Sequence, residues 1–455
     1  MKRRSSREWT LHESRFTSPA SFAKLGRMAT RDEDERDPFA AFDQSTGSGV
    51  VRDPYPTFGE MRRECPVHKG PFGARFGLSQ PESMMSQSGE YYTALSYEAV
   101  QQVLLDGETF SSSGYSPTVG MLMGHSILEM DEPEHGRYRA LIQQAFGLKA
   151  MERWEEAIVA PIVHELIDRF AGRGRADLVR ELTLPFPIQV IAAMLGLPAA
   201  DLPQFHRWAV ELISITVDIM RGIEASQKLR DYFAGILAER RSAPREDLIS
   251  VLAQAELHGQ RLTDEEIFAF LRLLLPAGAE TTYRSSSSLL FGLLTNTDQL
   301  EAVRADRSLI KRATEEGLRW EPPLTGIARL VMRDAEVAGV RVPQGAVIGV
   351  CLGAANHDET RWERPAEFDL FREPKPHMAF AYGAHTCLGM HLARMETRVM
   401  LTAVLDRLPG LRLDPAAADV HITGLGFRAP RQLPVVFDTP DSRSSDSGPT
   451  PAPVG

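Results

Sequence analysis

The sequence predicts a mainly α-helical protein with a smaller β-rich part, folded as one large domain. Helical periodicity runs through residues 136–235, and the capping box Thr263-Asp-Glu-Glu266 opens a helix that reaches about Thr295. Between Val331 and Leu352, short apolar runs alternate with turns, as in a small sheet. Nothing inside the 455 residues has the composition of a linker, so we expect one domain rather than several.

Four shorter elements are predicted from local patterns: a helix over Asp53–Glu64, a strand over Tyr91–Leu95, a loop over Ser111–Met123 and a helix over residues 244–258. The domain is expected to span residues 50–437. We expect an extended or disordered segment at residues 1–49 and a disordered Ser/Pro/Gly-rich tail at residues 438–455. The basic, Ser-rich start lacks the apolar stretch of a secretory signal. A transit peptide, a disordered extension and translation from Met28 remain open.

The net charge, apolar runs and cysteine content of the chain argue against several classes of protein. The net charge of −10 and the pI near 5.7 oppose a nucleic-acid partner. No apolar run approaches the roughly 18–20 residues that span a bilayer, so no membrane anchor is expected. Three widely spaced cysteines, an odd number, do not make a disulfide framework. A reducing cytoplasmic location is therefore expected.

The most informative segment is Phe380-Ala-Tyr-Gly-Ala-His-Thr-Cys-Leu-Gly389, a Gly-rich turn before an amphipathic helical pattern. A cysteine at a helix start is expected to have a stabilised thiolate, which applies to Cys387. Gly383 and Gly389 let the backbone approach a large flat partner, and His385 can donate to an anionic edge of it. A thiolate among glycines suits the iron of haem. A buried structural cysteine near a turn is the alternative.

The pattern Phe-x-x-Gly-x-His-x-Cys-x-Gly resembles the haem-binding loop of the cytochrome P450 superfamily and matches it at every diagnostic position. The resemblance implies the cytochrome P450 fold and haem b (iron protoporphyrin IX) ligated through Cys387. It also implies that Phe380, Gly383, His385 and Gly389 contact the cofactor. The expected lack of an anchor resembles the soluble bacterial members.

A second match lies in the long capped helix, at residues 276–282. Here Gly278 lacks a side chain, and Glu280-Thr281 sets an acid beside a hydroxyl. The segment resembles the family's distal oxygen-binding helix, which implies that Ala277 and Gly278 shape the oxygen groove and that the acid and hydroxyl deliver protons. Its leading proline, which invites a kink, departs from the family's commoner aliphatic residue. A surface helix with chance polar residues is the alternative.

Glu316-Gly-Leu-Arg319 places opposite charges about one helical turn apart, just before a Trp-Glu-Pro-Pro stretch that halts the helix. The resemblance implies a buried structural pair, Glu316 with Arg319, that holds the core near the cysteine loop. The family adds a third partner, an arginine, but Glu367 occupies that position. Arg364 and Arg372 are the possible substitutes.

His135-Gly-Arg-Tyr-Arg139 places an imidazole and a guanidinium on one helical face. Haem propionates are carboxylates, to which arginine donates bidentate hydrogen bonds. The resemblance implies propionate binding by His135, Arg139 and His385, with Arg329 at a further matching position. A solvated surface cation is the alternative for each.

Flexible apolar side chains suit a cavity for a hydrophobic substrate, which favours Met121, Met123 and the apolar stretch at residues 213–220. The resemblance adds four residues that follow the Pro-Pro pair: Leu324, Thr325, Ile327 and Ala328. Ordinary core packing is the alternative for each of these side chains.

Together these matches predict a monooxygenase that inserts one atom of O2 into a hydrophobic small molecule. No nucleotide-binding motif is present, so electrons are expected from a separate protein, and the resemblance implies a ferredoxin with its ferredoxin reductase. The ferredoxin is expected to dock on the cysteine side, near Arg394, Arg398 and the helix of residues 135–139. A peroxide-driven peroxygenase and a non-catalytic haem-binding sensor or carrier are the rival functions.

Overall fold

The computed structural model describes residues 50–78, 85–213 and 219–439, which form a mainly helical protein with small sheets. The predictions of disorder for residues 1–49 and for the tail from residue 440 fall outside these ranges. None of the helices in the described ranges has both the length and the apolar character needed to cross a membrane.

Fifteen α-helices are found in the described residues: α1 Tyr55–Glu64, α2 Tyr97–Leu105, α3 Met121–Met123, α4 Glu134–Gln143, α5 Leu148–Trp154, α6 Ala160–Asp168, α7 Pro185–Met194, α8 Leu202–Ile213, α9 Ile219–Ser242, α10 Leu248–Gln254, α11 Asp264–Thr295, α12 Thr297–Ala305, α13 Ile310–Trp320, α14 Leu352–Asn356 and α15 Met390–Arg407. Tighter or wider helical turns join several of them. One of these, Gly383–His385, lies inside the cysteine loop.

Fourteen strands are found in the same residues: β1 Val67–Lys69, β2 Tyr91–Ala94, β3 Phe110–Ser111, β4 Arg175–Asp177, β5 Glu256–Leu257, β6 Gln260–Arg261, β7 Gly326–Val331, β8 Ala335–Val337, β9 Val340–Val342, β10 Val347–Cys351, β11 Arg412–Leu413, β12 Ile422–Thr423, β13 Ala429–Pro430 and β14 Pro434–Val436. The largest sheet has the order β1-β2-β10-β7-β3, in which only β2 and β10 run parallel. Its β7–β10 pair sets Arg329 opposite Ile348.

Helix α11 is the central element of the fold. It begins with the predicted capping box: the Thr263 N–H donates to Glu266 Oε2 over 2.7 Å, and the Glu266 N–H donates to Thr263 Oγ1 over 3.2 Å. Tyr138 of α4 donates its hydroxyl to the Glu266 carbonyl over 2.6 Å. The helix continues through Pro276 without a break in its assignment. A proline nitrogen carries no hydrogen, so the carbonyl of Arg272 lacks its usual donor.

Apolar side chains from α11 and the surrounding helices form the main core, and α11 packs against α7, α9, α13 and α15. A second cluster covers the five-stranded sheet and α2. Burial of these faces drives the folding of an amphipathic helical protein. The cysteine loop lies between the two clusters, because it leads directly into α15 and its turn contacts α2.

Two local predictions were wrong. The segment Ser111–Met123 is not an irregular loop, since three short helical turns follow β3 there. The helix predicted over residues 244–258 is confined to Leu248–Gln254 and is followed by the β5–β6 hairpin. His258 and Gly259 both have positive φ at this turn, a backbone conformation that a helix does not accept.

Candidate functional site

The cysteine loop has a tightly fixed backbone. The N–H of Cys387 donates to the Phe380 carbonyl over 3.0 Å, and the N–H of Thr386 donates to the Gly383 carbonyl over 3.1 Å. Gly383 has a φ of +75°, and a Cβ atom there would lie 2.5 Å from the Leu104 carbonyl oxygen. Both its conformation and its contact with α2 therefore require glycine. These bonds fix the position of the Cys387 side chain.

Cys387 keeps solvent-accessible surface and is classed as exposed. The protein atoms around its thiol nevertheless reduce its hydration, and this burial raises the pKa of the thiol above the ordinary value. The Gly389 N–H and the charges of Arg139 and Arg394 oppose that rise. The expectation of a thiolate stabilised by the helix start was therefore wrong for the protein alone. Helix α15 begins only at Met390, and loss of hydration outweighs the favourable donors. A coordinated metal cation reverses this balance, because a ligating thiol is deprotonated.

One buried histidine carries a nitrogen with no partner in the described part of the chain. His135 is 1% exposed, and its Nε2 atom makes no hydrogen bond with a described residue. Its Nδ1 atom lies 3.0 Å from Glu132 Oε1. The ring of His135 lies 4.0 Å from that of His385, measured between centroids. An unpartnered buried polar atom is costly, so this nitrogen indicates a ligand position beside the cysteine loop.

Two arginines join this histidine pair. Burial, followed by the charges of Arg329, His135 and Arg139, lowers the pKa of His385 to about 3, so these three side chains all lie within electrostatic range of His385. Arg329 is 4% exposed on β7, which disagrees with a solvated surface cation. Arg139 donates from Nη2 to the Thr386 carbonyl over 2.7 Å and thereby also braces the loop. His385 Nε2 lies 3.2 Å from Ser112 Oγ.

This cluster fits the carboxylate groups of haem. Two guanidinium groups, an imidazole and the unpartnered nitrogen of His135 converge beside a cysteine thiol. The two guanidinium groups favour anionic oxygens as partners, and haem supplies two propionates together with an iron that takes thiolate. The residues present therefore suit the cofactor at both its charged edge and its metal.

The candidate distal segment lies in the middle of α11. Thr281 is partly buried and donates from Oγ1 to the Ala277 carbonyl over 2.6 Å. Ala277 is exposed, although helices of the same core surround it. At Gly278 a Cβ atom would lie 2.8 Å from Ile191 Cδ1, so glycine permits close packing of α11 on α7. The carbonyl at Ala277 and the hydroxyl at Thr281 thus face the same side of the helix, one turn apart.

The acid beside this threonine already has a basic partner. Arg284 donates to Glu280 Oε2 from Nε over 3.2 Å and from Nη2 over 3.1 Å, and both side chains are buried. The sequence analysis missed Arg284, although its spacing of four residues from an acid on one helix was the signal that could have found it. The guanidinium also lies over the Tyr283 ring, 4.9 Å from its centroid.

A further acid, Glu396 on α15, links that helix to α11. It is 3% exposed, and burial raises its pKa to about 8 although a hydrogen bond with Thr282 opposes the rise. The sequence analysis did not single out Glu396. Its burial arises from the packing of α15 on α11, which sequence periodicity alone does not locate.

The pair Glu316 and Arg319 forms a buried network on α13. Arg319 is 1% exposed and donates to Glu316 from Nε over 2.8 Å and from Nη2 over 2.7 Å. Of the two possible third partners, Arg372 reaches the pair, with Nε 3.3 Å from Glu316 Oε1. Arg364 instead pairs with Glu367 over 2.7 Å. The arginine that completes the network therefore lies five residues after the position expected from the family pattern.

The expected pocket residues are distributed between surface and core. Met121 is 43% exposed, whereas Met123 is buried on the same short helix. Ala328 packs in a small core cluster with Met85 and Val347 and donates its N–H to the Tyr115 hydroxyl over 2.9 Å. Of the three other expected pocket residues in this stretch, Thr325 is buried, and Leu324 and Ile327 are partly buried. The candidate stretch at residues 213–220 falls mostly outside the described residues.

One expected docking cation is already neutralised. Arg394 makes two 2.7 Å hydrogen bonds with the Glu315 carboxylate and lies over the Phe380 ring, 4.5 Å from its centroid. Arg137 of α4 is similarly paired with Glu266. Arg398 is exposed and makes no ion pair with a residue that the structure describes. This arginine therefore retains a free positive charge on the outer face of α15.

A single cysteine in a rigid Gly-rich loop, a carboxylate-binding cluster beside it and an acid–alcohol pair on the central helix define a haem-thiolate protein. A family model of cytochrome P450 matches residues 188–410. The biotin biosynthesis cytochrome P450 of Bacillus subtilis is 32% identical over 409 residues, which cover 87% of this chain and 98% of that protein. The chain therefore belongs to the cytochrome P450 family.

Other relatives agree in fold and enzyme class. The steroid C26-monooxygenase of Mycobacterium tuberculosis (strain CDC 1551 / Oshkosh) is 35% identical over 355 residues, 76% of this chain and 94% of that protein. The crystal structure of CYP109E1 from Bacillus megaterium in complex with testosterone has a TM-score of 0.75 at 32% identity, covering 85% of this chain and 100% of that one. This protein is accordingly a bacterial-type cytochrome P450 monooxygenase that binds haem.

Proposed function

We propose that this enzyme inserts one atom of O2 into a hydrophobic small molecule and reduces the other atom to water with electrons from a separate ferredoxin and its reductase. The observation that carries the proposal is the unpartnered Nε2 atom of buried His135 beside the Cys387 loop. It supports a cofactor with an anionic edge at this place, and haem supplies the activation of O2 that no side chain provides.

The roles of the loop follow from its geometry. Cys387 is the residue that would hold the haem iron, and the Phe380 carbonyl holds its backbone N–H in place. Gly383 lets the loop contact α2, Gly389 would leave open space beside the loop for the cofactor, and Phe380 packs under Arg394. The propionates are assigned to His135, Arg139, Arg329 and His385, whose positive or donor groups converge.

The roles on the distal side follow from α11. Ala277 and Gly278 are proposed to shape the groove that admits O2, because Ala277 is exposed on the helix and Gly278 lets Ile191 of α7 pack close beside it. Thr281 is proposed to pass a proton from its hydroxyl, which now donates to the Ala277 carbonyl at 2.6 Å. Glu280 is proposed to resupply that proton, which its carboxylate must first take up from solvent water as it gives up a contact with Arg284. General acid catalysis of this kind typically accelerates a step by about 10²–10⁴-fold.

The substrate is proposed to be an apolar small molecule bound between α3 and α11. The Mycobacterium tuberculosis relative is named for a steroid reaction, and the CYP109E1 crystal holds testosterone. Testosterone is therefore a reasonable first probe. Flexible methionines such as Met121 and Met123 accommodate ligands of different shape.

The first experiment is the absorption spectrum of the reduced protein with and without carbon monoxide. A strongly red-shifted Soret band is expected from thiolate ligation, and Cys387→Ser should abolish it while Cys65→Ser leaves it unchanged. A band typical of histidine ligation, or no bound haem, would overturn the assignment.

The second experiment separates the rival functions. With ferredoxin, its reductase and NADH, Thr281→Ala should keep consuming NADH while the product formed per NADH falls several-fold and hydrogen peroxide accumulates. A peroxide-driven peroxygenase would form product from hydrogen peroxide at an unchanged rate in this variant. A sensor or carrier would consume no NADH above the rate without ligand.

A further inference from the structure

A partly buried ion pair joins α13 to α15 next to the cysteine loop. Arg394 of α15 donates from Nε and from Nη2 to the two carboxylate oxygens of Glu315 on α13, each over 2.7 Å. The side chains of Arg394 and Glu315 are 27% and 36% exposed, so protein shields most of the pair from water. Two parallel hydrogen bonds hold a guanidinium in one orientation, which a single contact does not.

A histidine from the segment that leads into the cysteine loop completes this cluster. His377 Nε2 lies 3.4 Å from Glu315 Oε2, and the His377 side chain is 6% exposed. Its Nδ1 atom accepts the N–H of Ala379 over 3.2 Å, so the ring hydrogen belongs to Nε2 and faces the carboxylate. Burial raises the pKa of the Glu315 carboxyl, but His377 and Arg394 outweigh it and lower the pKa to about 2. Glu315 is therefore ionised at neutral pH.

The same guanidinium contacts the cysteine loop. Arg394 lies over the Phe380 ring, 4.5 Å from its centroid. The Phe380 carbonyl in turn accepts the Cys387 N–H over 3.0 Å. The cation thus packs on the residue whose backbone fixes Cys387, and its charge reaches the Cys387 thiol. Glu315 fixes the place of that cation through two of the guanidinium nitrogens.

A charge held in a fixed place near a redox centre shifts the reduction potential of that centre. Reduction adds one negative charge, so a nearby cation favours the reduced form and a nearby anion favours the oxidised form. In a partly shielded site such fields act over about 10 Å, because protein screens them less than water does. The surroundings of the axial ligand are one means by which a protein sets the potential of haem.

We propose that Glu315 is a positioning residue that holds Arg394 against Phe380 and thereby sets the reduction potential of haem bound at Cys387. This inference rests on the proposed function, because it names how the same site is adjusted to accept an electron from ferredoxin. The pair places a cation beside the loop while its acid keeps the summed charge of the two side chains at zero. The cation alone would make the haem easier to reduce, and the acid alone would make it harder to reduce.

The test measures the reduction potential of the holoenzyme by dye-coupled spectrophotometric titration. Glu315→Gln keeps the shape and the acceptor oxygen but removes the negative charge, so at a fixed potential it should raise the ratio of ferrous to ferric protein about two- to fourfold. Arg394→Gln should lower that ratio by about the same factor. Since tenfold equals about 59 mV for one electron, the two shifts are about 18–36 mV in opposite directions. The double variant, which lacks both charges, should stay within about 1.5-fold of the parent protein.

Two matched controls separate charge from shape. Arg394→Lys keeps the charge and loses the planar fork, so its potential should lie closer to that of the parent than the potential of Arg394→Gln. Arg398 is exposed one turn further along α15 and makes no ion pair with a residue that the structure describes. Arg398→Gln should therefore change the ratio less than about 1.5-fold, because water and salt screen its charge. Urea unfolding of the haem-free proteins measures the contribution of the pair to stability separately.

A pair that only braces the loop predicts different results. Glu315→Gln and Arg394→Gln would then shift the potential in the same direction or not at all, and either result overturns the proposal. A double variant that shifts further than each single variant also overturns it. If Arg394→Gln loses haem, a raised potential in Glu315→Gln with a near-parent potential in Arg394→Lys still supports the proposal, and any other combination rejects it.

Failure of the proposed function is recognised separately. A parent protein that lacks the red-shifted Soret band with carbon monoxide would overturn the thiolate assignment and this inference together. A parent protein that has the band, with variants whose shifts have the wrong signs, would overturn this inference alone.

Discussion

Removing the guanidinium of Arg319 should destabilise the protein more than any surface charge change. Arg319 makes two hydrogen bonds with Glu316 and further ones with the carbonyls of Asn356, Pro365 and Glu367, at distances of 2.7–3.0 Å. In Arg319→Met the Glu316 carboxylate stays buried but loses its two hydrogen bonds with the guanidinium. Breaking a buried pair by removing one partner costs about 3–5 kcal/mol. Against a total of about 5–15 kcal/mol, that is a large share.

The cost should stay at the lower end of this range because two partners remain. Arg372 Nε lies 3.3 Å from Glu316 Oε1, and the Asp369 N–H donates to the same oxygen over 2.9 Å. Removing both charges in Glu316→Met/Arg319→Met should therefore cost less than the sum of the two single changes. The double variant leaves no unpaired carboxylate behind.

The assay is urea unfolding followed by tryptophan fluorescence, together with the ratio of bound haem to protein. A matched control is Arg169→Met at the C-cap of α6, which breaks an exposed Arg169–Glu165 pair of 2.7 Å and should cost less than about 1 kcal/mol. A loss below about 1 kcal/mol in Arg319→Met, or strict additivity in the double variant, would refute the reasoning.

Three further predictions concern the cysteine side. Gly383→Ala should reduce haem retention and stability, because its Cβ would clash with the Leu104 carbonyl. Ala381→Gly should instead stabilise the protein by about 0.5–1 kcal/mol, because it relieves a φ of +57°. Both variants are measured by urea unfolding, and equal effects on stability would contradict the prediction. Stability should fall as pH rises from about 4.5 to about 8, because Glu396 with its raised pKa of about 8 keeps a proton that the unfolded chain releases. Glu396→Gln should reduce the difference in unfolding free energy between pH 5 and pH 8 by about 1–3 kcal/mol. The same pH dependence in the variant and the parent protein would exclude this. Arg398→Glu should slow reduction by ferredoxin about 10-fold at low salt, with a smaller effect at high salt and unchanged substrate affinity; a rate insensitive to the reversal would count against docking there.

Sequence reasoning succeeded where the physical cause is local. The capping box at Thr263 depends on residues three apart, and the turn at Gly383 depends on a conformation that glycine alone adopts easily. Hydrophobic periodicity predicted the length of α11 because every turn of it contacts the core. The fold class followed from these elements, and the relatives confirm it.

Sequence reasoning failed where partners meet only in three dimensions. Arg394 pairs with Glu315, a residue 79 positions away, so its charge could not be recognised as neutralised. The family pattern predicts an arginine at position 367, but Arg372 provides the guanidinium that contacts Glu316. The loop brings it there from a position five residues further along the chain. The pKa of Cys387 is raised by desolvation, a property of the whole surrounding fold.

The cysteine side and the α11 side of the haem site are held by different kinds of contact. This difference decides which substitutions affect folding and which affect activity alone. On the cysteine side, support comes from α2, α4 and β7, so single changes there affect folding and haem binding together. On α11 the key contacts are within one helix: Thr281 with Ala277, and Glu280 with Arg284, each four residues apart. Changes at these α11 residues are therefore expected to alter proton delivery while the cysteine loop stays intact.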